Sequence, residues 1–312
     1  MNPSGRWVLV DMTSLRHLPP SAGVGLKPGH YAQALEAVSA STPIPSAAPG
    51  WFEVHPQNYF GAGGPPHRWL SGFAEKAPLS FHSVGLSLGN RDGVVGNELD
   101  HLARLCERYG PAMVSDHLSW SGSANNHYPD LLPVPYTREA LDHFADQVER
   151  VQERLQRQIL IENPSRYLAF AGDEMGEADF LHALCQRSGC GILLDINNIE
   201  VSATNLGLDA DNMVDAIDPA LVGEIHLAGH AVENHPDGPL LIDDHGSAVT
   251  GETWRLFERF VRRSGPRPVL IEWDTDVPEF EVLVEEARKA DAILQSWSLE
   301  SRRRQEWSRE LA

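Results

Sequence analysis

Cysteine is scarce in this chain of 312 residues, which holds only Cys106, Cys185 and Cys190. The count is odd and no two form a CxxC pair, which argues against a disulfide framework. No catalytic role is expected of them. Basic residues are few as well. Lys and Arg number 25 against 44 Asp and Glu, a formal net charge of −19. So acidic a chain has little with which to neutralise phosphates, and nucleic acid is not expected as a partner. The carboxylate excess suits a protein that holds cations, although a solvated acidic surface gives the same total. No stretch approaches the roughly 18–20 apolar residues of a membrane span, and no membrane partner is expected. The opening "MNPSGRWVLVDMTSLRHLPP" lacks a basic region followed by an apolar run and a small-residue cleavage site. The expected compartment is therefore the cytoplasm. Nucleotide fingerprints are missing too: "VGLKPGHY" does not match GxGxxG, and "GAGGPP" (61–66) lacks the GK[ST] of a phosphate loop.

What the chain does have is apolar residues, 42% of the total, arranged with a clear rhythm. Eight short β-rich runs recur: "VGLKP" (24–28), "WFEVHPQNY" (51–59), "LSFHSVGLS" (79–87), "AMVSDHLSW" (112–120), "QILIENPS" (158–165), "GILLDINN" (191–198), "VGEIHLAGH" (222–230) and "PVLIEWDT" (268–275). Segments with apolar residues at three- and four-residue spacing lie between them, and 67–76 is the weakest of these. Three end in Gly before the next strand, as "ERYG", "QRSG" and "RRSG", the expected C-cap. Strict alternation of strand and helix implies a parallel sheet. Eight units closing on themselves predict an α/β fold of the (β/α)8 TIM-barrel type, with a doubly wound open sheet as the alternative. The barrel is expected over 22–295, with an N-terminal extension (1–21) and a charged, helical C-terminal tail (296–312).

In such a barrel the active site lies at the C-terminal ends of the strands. Those ends are rich in ionisable groups. His55 and Asn58 close the second run, and His82 lies in the third. Asp116 and His117 belong to the fourth, Glu162 and Asn163 to the fifth, and Asp195, Asn197 and Asn198 to the sixth. His226 and His230 follow, then Asp243, Asp244 and His245 in "LLIDDHGS", and finally Glu272, Asp274 and Asp276. Burying so many such groups without partners costs several kcal/mol apiece, so they must neutralise one another or surround cations. Imidazole, carboxylate and carboxamide without sulfur suit zinc, manganese or iron. The number of donors exceeds what one ion uses, which predicts two or three ions with bridging carboxylates. Alternation along a strand directs only one of Asp116 and His117 inward, and His117 is the expected one. The same rule brings Asp243 and His245 together and leaves Asp244 outside.

The order and spacing of His82, His117, Glu162, Asp195, His226, the DxH step of Asp243 and His245, and Glu272 resemble the divalent-metal barrels of endonuclease IV and xylose isomerase. Where the endonuclease pattern has His three residues after the aspartate, this chain has Asn198, a weaker donor. A closer resemblance spans about residues 22–293. "WFEVHPQNYFGAGGPP", "FHSVGLSLG", "VSDHLSW", "IENPS", "LLDINN", "EIHLAGH", "LIDDHGS" and "IEWDTD" are similar to the signature segments of domain of unknown function 692, also called uncharacterised protein family 0276. Some members are multinuclear non-haem iron oxidases of the methanobactin-biosynthesis type. The resemblance implies two or three iron ions held by His82, His117, Glu162, Asp195, Asn198, His226, Asp243, His245 and Glu272, with His55 and Asp116 as further ligands. It also implies O2 as co-substrate, a precursor peptide whose Cys reacts, and a small leader-binding partner protein.

Two long turn-rich segments, 120–137 and 230–246, are expected as irregular loops walling a substrate groove. Asn58, His127, Tyr128 and His230 are the expected substrate contacts, and His30 is expected to cap a helix. Two other functions remain open on the residues alone. One is a zinc- or manganese-dependent hydrolase or isomerase of the same barrel type, and the other is a non-enzymatic metal- or peptide-binding protein.

Overall fold

The apolar runs close into a ring. A computed structural model describes residues 17–39, 49–123, 126–236 and 238–310, so most of the expected N-terminal extension lies outside the described residues. Eight strands form the barrel: β1 (Ala22–Gly25), β2 (Phe52–Val54), β3 (Leu79–His82), β4 (Met113–His117), β7 (Leu160–Glu162), β8 (Gly191–Asp195), β9 (Val222–Leu227) and β12 (Val269–Ile271). They follow one another in chain order around the ring and β12 returns to β1, every pair parallel. The open-sheet alternative is excluded by that closure.

Nine helices are described: α1 (Tyr31–Ser39), α2 (Pro65–Ala74), α3 (Gly96–Tyr109), α4 (Arg138–Leu155), α5 (Glu177–Ser188), α6 (Ile196–Leu206), α7 (Ala210–Ala216), α8 (Gly251–Ser264) and α9 (Phe280–Glu310). Their apolar stripes, such as Leu99, Leu102 and Leu105 of α3 and Leu256, Phe257 and Phe260 of α8, pack on the outer face of the strands in one continuous core. Gly110 and Gly189 end α3 and α5 with φ of 56° and 75°, and their N–H groups bond the carbonyls of Cys106 and Cys185. Gly265 ends α8 likewise, with φ of 70° and its N–H on the Val261 carbonyl. Only Gly adopts a positive φ cheaply, so all three C-cap expectations hold. The weak segment near 67–76 is α2. Expected tail residues from 296 onward continue α9 without a break.

Both long segments expected as irregular loops are hairpins instead. β5 (Ser119–Ser123) pairs antiparallel with β6 (Asn126–Pro133), and β10 (Ala231–His235) with β11 (Gly238–Ile242). Their Gly, Pro and Asn content imitates a loop, and the strand pairing that stabilises them is not a local property. Both rise from the C-terminal mouth. The opposite end is sealed by Trp51, Leu18, Ala112 and Leu270. Trp51 lies so close over Gly23 that a Cβ there would meet its ring at 2.4 Å. Among the described residues no helix is long and apolar enough to cross a membrane.

Candidate metal centre

Period-two alternation decides what enters the barrel. His82 of β3 and His117 and Ser115 of β4 face inward, as do Glu162, Asp195, and Glu224 with His226 of β9. Three donors from neighbouring strands converge first. Glu162 Oε2 lies 3.1 Å from His82 Nε2 and 3.2 Å from His117 Nε2, yet it makes a hydrogen bond with neither. His82 is oriented from behind by Ser115 Oγ, 2.8 Å from its Nδ1. Such outer support is what fixes the ring of a metal-ligating histidine.

Across the barrel His226, fully buried, stands between Glu272 (2.9 Å from Nδ1) and Glu53 (3.2 Å from Nε2). Sequence reasoning does not reach Glu53. It lies two residues before His55 on β2, inside an apolar run rather than at a strand end, and its only signal is an acid at a position whose neighbours must be buried. Glu224 lies deeper, accepting from Ser80 Oγ at 3.0 Å. Closing the site, His245 Nδ1 is 3.3 Å from Glu272 Oε2 and its Nε2 is 2.7 Å from Asp243 Oδ1. Asp243 and His245 thus converge as expected. Asp244 does not stay outside: this stretch is not a strand, alternation does not apply, and Asp244 joins the cavity wall.

Among the described residues, five triads have ligand atoms within 4.8 Å of one another: His82–His117–Glu162, Glu53–His226–Glu272, Glu162–Asp195–His226, Asp195–His245–Glu272 and His55–Glu272–Asp274. They overlap at Glu162, Glu272, Asp195 and His226. Overlapping triads are the pattern of ions held a few ångströms apart by shared carboxylates. Asp195 also caps α6, accepting from the Asn198 N–H at 2.7 Å, which is how a helix can begin directly at the strand end. Asn198 donates to Glu162 Oε1 and Asn163 O, leaving its Oδ1 without a partner.

The electrostatics show a site short of positive charge. Burial pushes the Glu53 carboxyl up to about 8 and Asp195 to about 7, and it drives Glu162 well above the usual carboxylate range. Burial also lowers His117 to about 4 and holds His82 well below its ordinary value. His226 and His245 go the other way. Burial disfavours their charged forms, but Glu53 and Glu272 around the one, and Glu272 and Asp243 around the other, raise both well above the usual range. Unpartnered Glu162 Oε2, Asp195 Oδ2 and Asn198 Oδ1 are buried beside these groups. Buried acceptors left this way are costly unless something occupies the space between them. Cations fit that donor set, and all its donors are nitrogen or oxygen.

Other expected residues fall elsewhere. Asp116 faces away from the cluster, and its buried carboxylate accepts from the N–H groups of Leu86 (3.2 Å) and His117 (2.7 Å). Burial raises it to about 7. It fastens the loop after β3 to β4. His55 stands at the edge, 3.6 Å from Asp274, which in turn pairs with Lys27. His230 is buried and donates to Asn197 Oδ1 at 2.8 Å, while Asn197 Nδ2 donates to Asp243 Oδ1 at 2.9 Å. It therefore supports the cluster from behind instead of lining the cavity. Asn58 is exposed on the turn after β2 and Tyr128 is exposed on β6, both off the cavity wall. His127 is on β6, but its side chain lies outside the described residues. His30 caps no helix; its Nε2 reaches Pro278 O at 2.8 Å. A cavity of about 210 Å³ opens above the cluster, lined by His82, His117, Glu162, His245 and Glu272 among others.

Comparison with known proteins follows the same geometry. Residues 21–295 match the family model described as RiPP precursor modification enzyme MbnB/TglH/ChrH. A relative named UPF0276 protein from Caulobacter sp. strain K31 is 48% identical over 277 residues, covering 89% of this chain and 97% of its own. Another of that name, from Chromobacterium violaceum, is 45% identical over 281 residues, covering 90% and 97%. Among solved structures, endonuclease IV from Thermus thermophilus superposes with a TM-score of 0.53 at 17% identity, covering 90% of this chain and 100% of its own. A xylose isomerase domain protein from Alicyclobacillus acidocaldarius gives 0.53 at 16%, covering 89% and 97%. At those identities the likeness shows a shared xylose isomerase-like barrel and nothing of substrate.

Proposed function

The chain belongs to the family of RiPP precursor modification enzymes of the MbnB/TglH/ChrH type, and from that premise we propose that it oxidatively modifies a cysteine of a ribosomally made precursor peptide. The observation that carries the reading is the set of overlapping buried triads, built wholly from imidazole and carboxylate and centred on Glu162, Asp195, His226 and Glu272. Two or three iron ions are the occupants we assign to it. His82, His117 and Glu162 would hold one. Glu53, His226 and Glu272 would hold another, and Asp195 and His245 with the shared Glu272, Asp243 standing beside them, would complete the third position. Iron there supplies the redox chemistry that lets O2 act as the oxidant.

The chain's own residues do the rest. The cluster lies at the floor of the cavity, where His82, His117, Glu162 and Glu272 are buried. Ser115 holds the His82 ring, and the His230–Asn197 pair holds the Asp243 carboxylate, so the donors are set before substrate arrives. Glu53 and Glu272 flank His226 and keep its two ring nitrogens directed. A small partner protein that captures the peptide leader, and a cytoplasmic setting, belong to the same reading.

The test is O2 uptake by iron-loaded protein with synthetic Cys-bearing peptides. Expected is uptake in proportion to peptide, with a mass change confined to the cysteine and abolished by Cys→Ser in the peptide. Absence of peptide-dependent uptake, with turnover of a sugar or phosphodiester on zinc or manganese instead, overturns it.

A further inference from the structure

Above the ligand cluster the cavity changes character. Its wall carries Asp130, Asp243, Asp244 and Asp274 besides Glu162 and Glu272, and neither Lys nor Arg. Four of these six are engaged by histidines or Lys27. Asp130 and Asp244 are not. One oxygen of each accepts a backbone N–H, from Leu131 at 2.8 Å and from Gly246 at 3.2 Å, and among the described residues neither meets a Lys or Arg.

The same wall exposes three large apolar side chains, two from loops and one from strand β6: Val84 at 37%, Tyr167 at 46% and Leu131 at 37%. Apolar groups left open in a concave site mark a surface that something covers. A register irregularity in the β5–β6 hairpin puts Asp130 and Leu131 there. Trp120 pairs with Leu132 and Gly122 with His127, so the residues 128–131 oppose Ser121 alone and bulge away from the pairing. Bulges beside active sites re-aim side chains in this way. Asn198 Oδ1, on a side chain 3% exposed, lacks a partner and lines the same cavity, so the space is built around an occupant.

We propose that the peptide segment entering this cavity carries a Lys or Arg within two residues of the reacting cysteine, received by Asp130 and Asp244, with apolar neighbours laid on Val84, Leu131 and Tyr167. This rests on the reading that the substrate is a cysteine peptide. Carboxylates without counter-charges in a concave mouth attract a cationic segment and repel an acidic one. Acidic flanks are thereby excluded as well as basic ones favoured.

The experiment uses fluorescein-labelled synthetic peptides KLCLK and ELCLE, titrated anaerobically into iron-loaded protein and read by anisotropy. KLCLK is expected to bind about tenfold or more tightly at low salt, with the advantage shrinking as ionic strength rises. In the double variant Asp130→Asn, Asp244→Asn, checked for unchanged metal content, the preference disappears. Equal affinity of the two peptides, or a preference for ELCLE, overturns the charge assignment and leaves the cysteine-peptide reading standing. No binding of either peptide, together with no peptide-dependent O2 uptake, overturns both.

Discussion

Gly229→Ala tests how tightly the fold positions the cluster of candidate metal ligands. Gly229 follows β9, next to His230, and an added Cβ would lie 2.3 Å from Ser247 Oγ, 2.4 Å from Ser247 O and 2.5 Å from Ala248 O. A carbon–oxygen contact normally sits near 3.4 Å, so the two carbonyls must retreat by about 1 Å. Backbone oxygens cannot swing aside as a side-chain tip does. The displaced segment carries His245, which already holds φ at 45° and is tied through its carbonyl to the N–H of Asp274 at 2.9 Å. Ligand positions tolerate about 0.5 Å, and a misplacement of about 1 Å costs on the order of 100-fold in rate. Overpacking of this kind costs about 1–3 kcal/mol, or roughly 1.5–4.5 °C in Tm for a chain of this size. The expected variant is folded, moderately less stable, short of the ion at Asp195–His245–Glu272 and still loaded at His82–His117–Glu162. Metal content per chain, a melting curve and turnover give the three readouts. Full metal occupancy with undiminished turnover refutes the reasoning.

Three other perturbations follow from the same geometry. Glu53→Gln keeps the shape but removes the carboxylate facing His226, so metal content should drop by about one ion with little change in circular dichroism; unchanged content takes Glu53 out of the ligand set. Asp195→Ala loses both an N-cap, worth about 1 kcal/mol, and a ligand. Asp195→Asn keeps the cap, so the two variants should both lose metal but differ by about 1–2 °C in Tm, and equal Tm values count against the capping role. Chelation should lower Tm clearly, because an ion present at about 1,000 times its Kd contributes about 4 kcal/mol and thus roughly 6 °C in a chain of this length. A Tm indifferent to chelator would mean the buried carboxylates are stabilised without cations.

Much of the barrel is legible in the sequence because its signal is local. The eight runs, the Gly residues after α3 and α5, and the ionisable strand ends can each be read within a window of about ten residues. His82, His117, Glu162, Asp195, His226 and Glu272 stand in or just after barrel strands, Asp243 and His245 follow the β10–β11 hairpin, and the fold brings all eight together. The misses share a different cause. Glu53 is buried by register, since the closure of β2 against its neighbours turns it toward His226, and no local pattern records that. Asp244 escapes because a strand rule does not extend past the strand. The hairpins at 119–133 and 231–242 are held by cross-strand pairs, while their composition is that of turns. His230 reads as a substrate contact because it follows a strand end, whereas Asn197, fixed by the start of α6, claims it first.

The most direct test of the account is metal analysis of protein purified without added metal, joined to Mössbauer spectroscopy of a sample grown on ⁵⁷Fe. Two or more irons per chain with a mixed-valent signal are predicted. Stoichiometric zinc or manganese, with no activity recovered on anaerobic loading with iron, would contradict it.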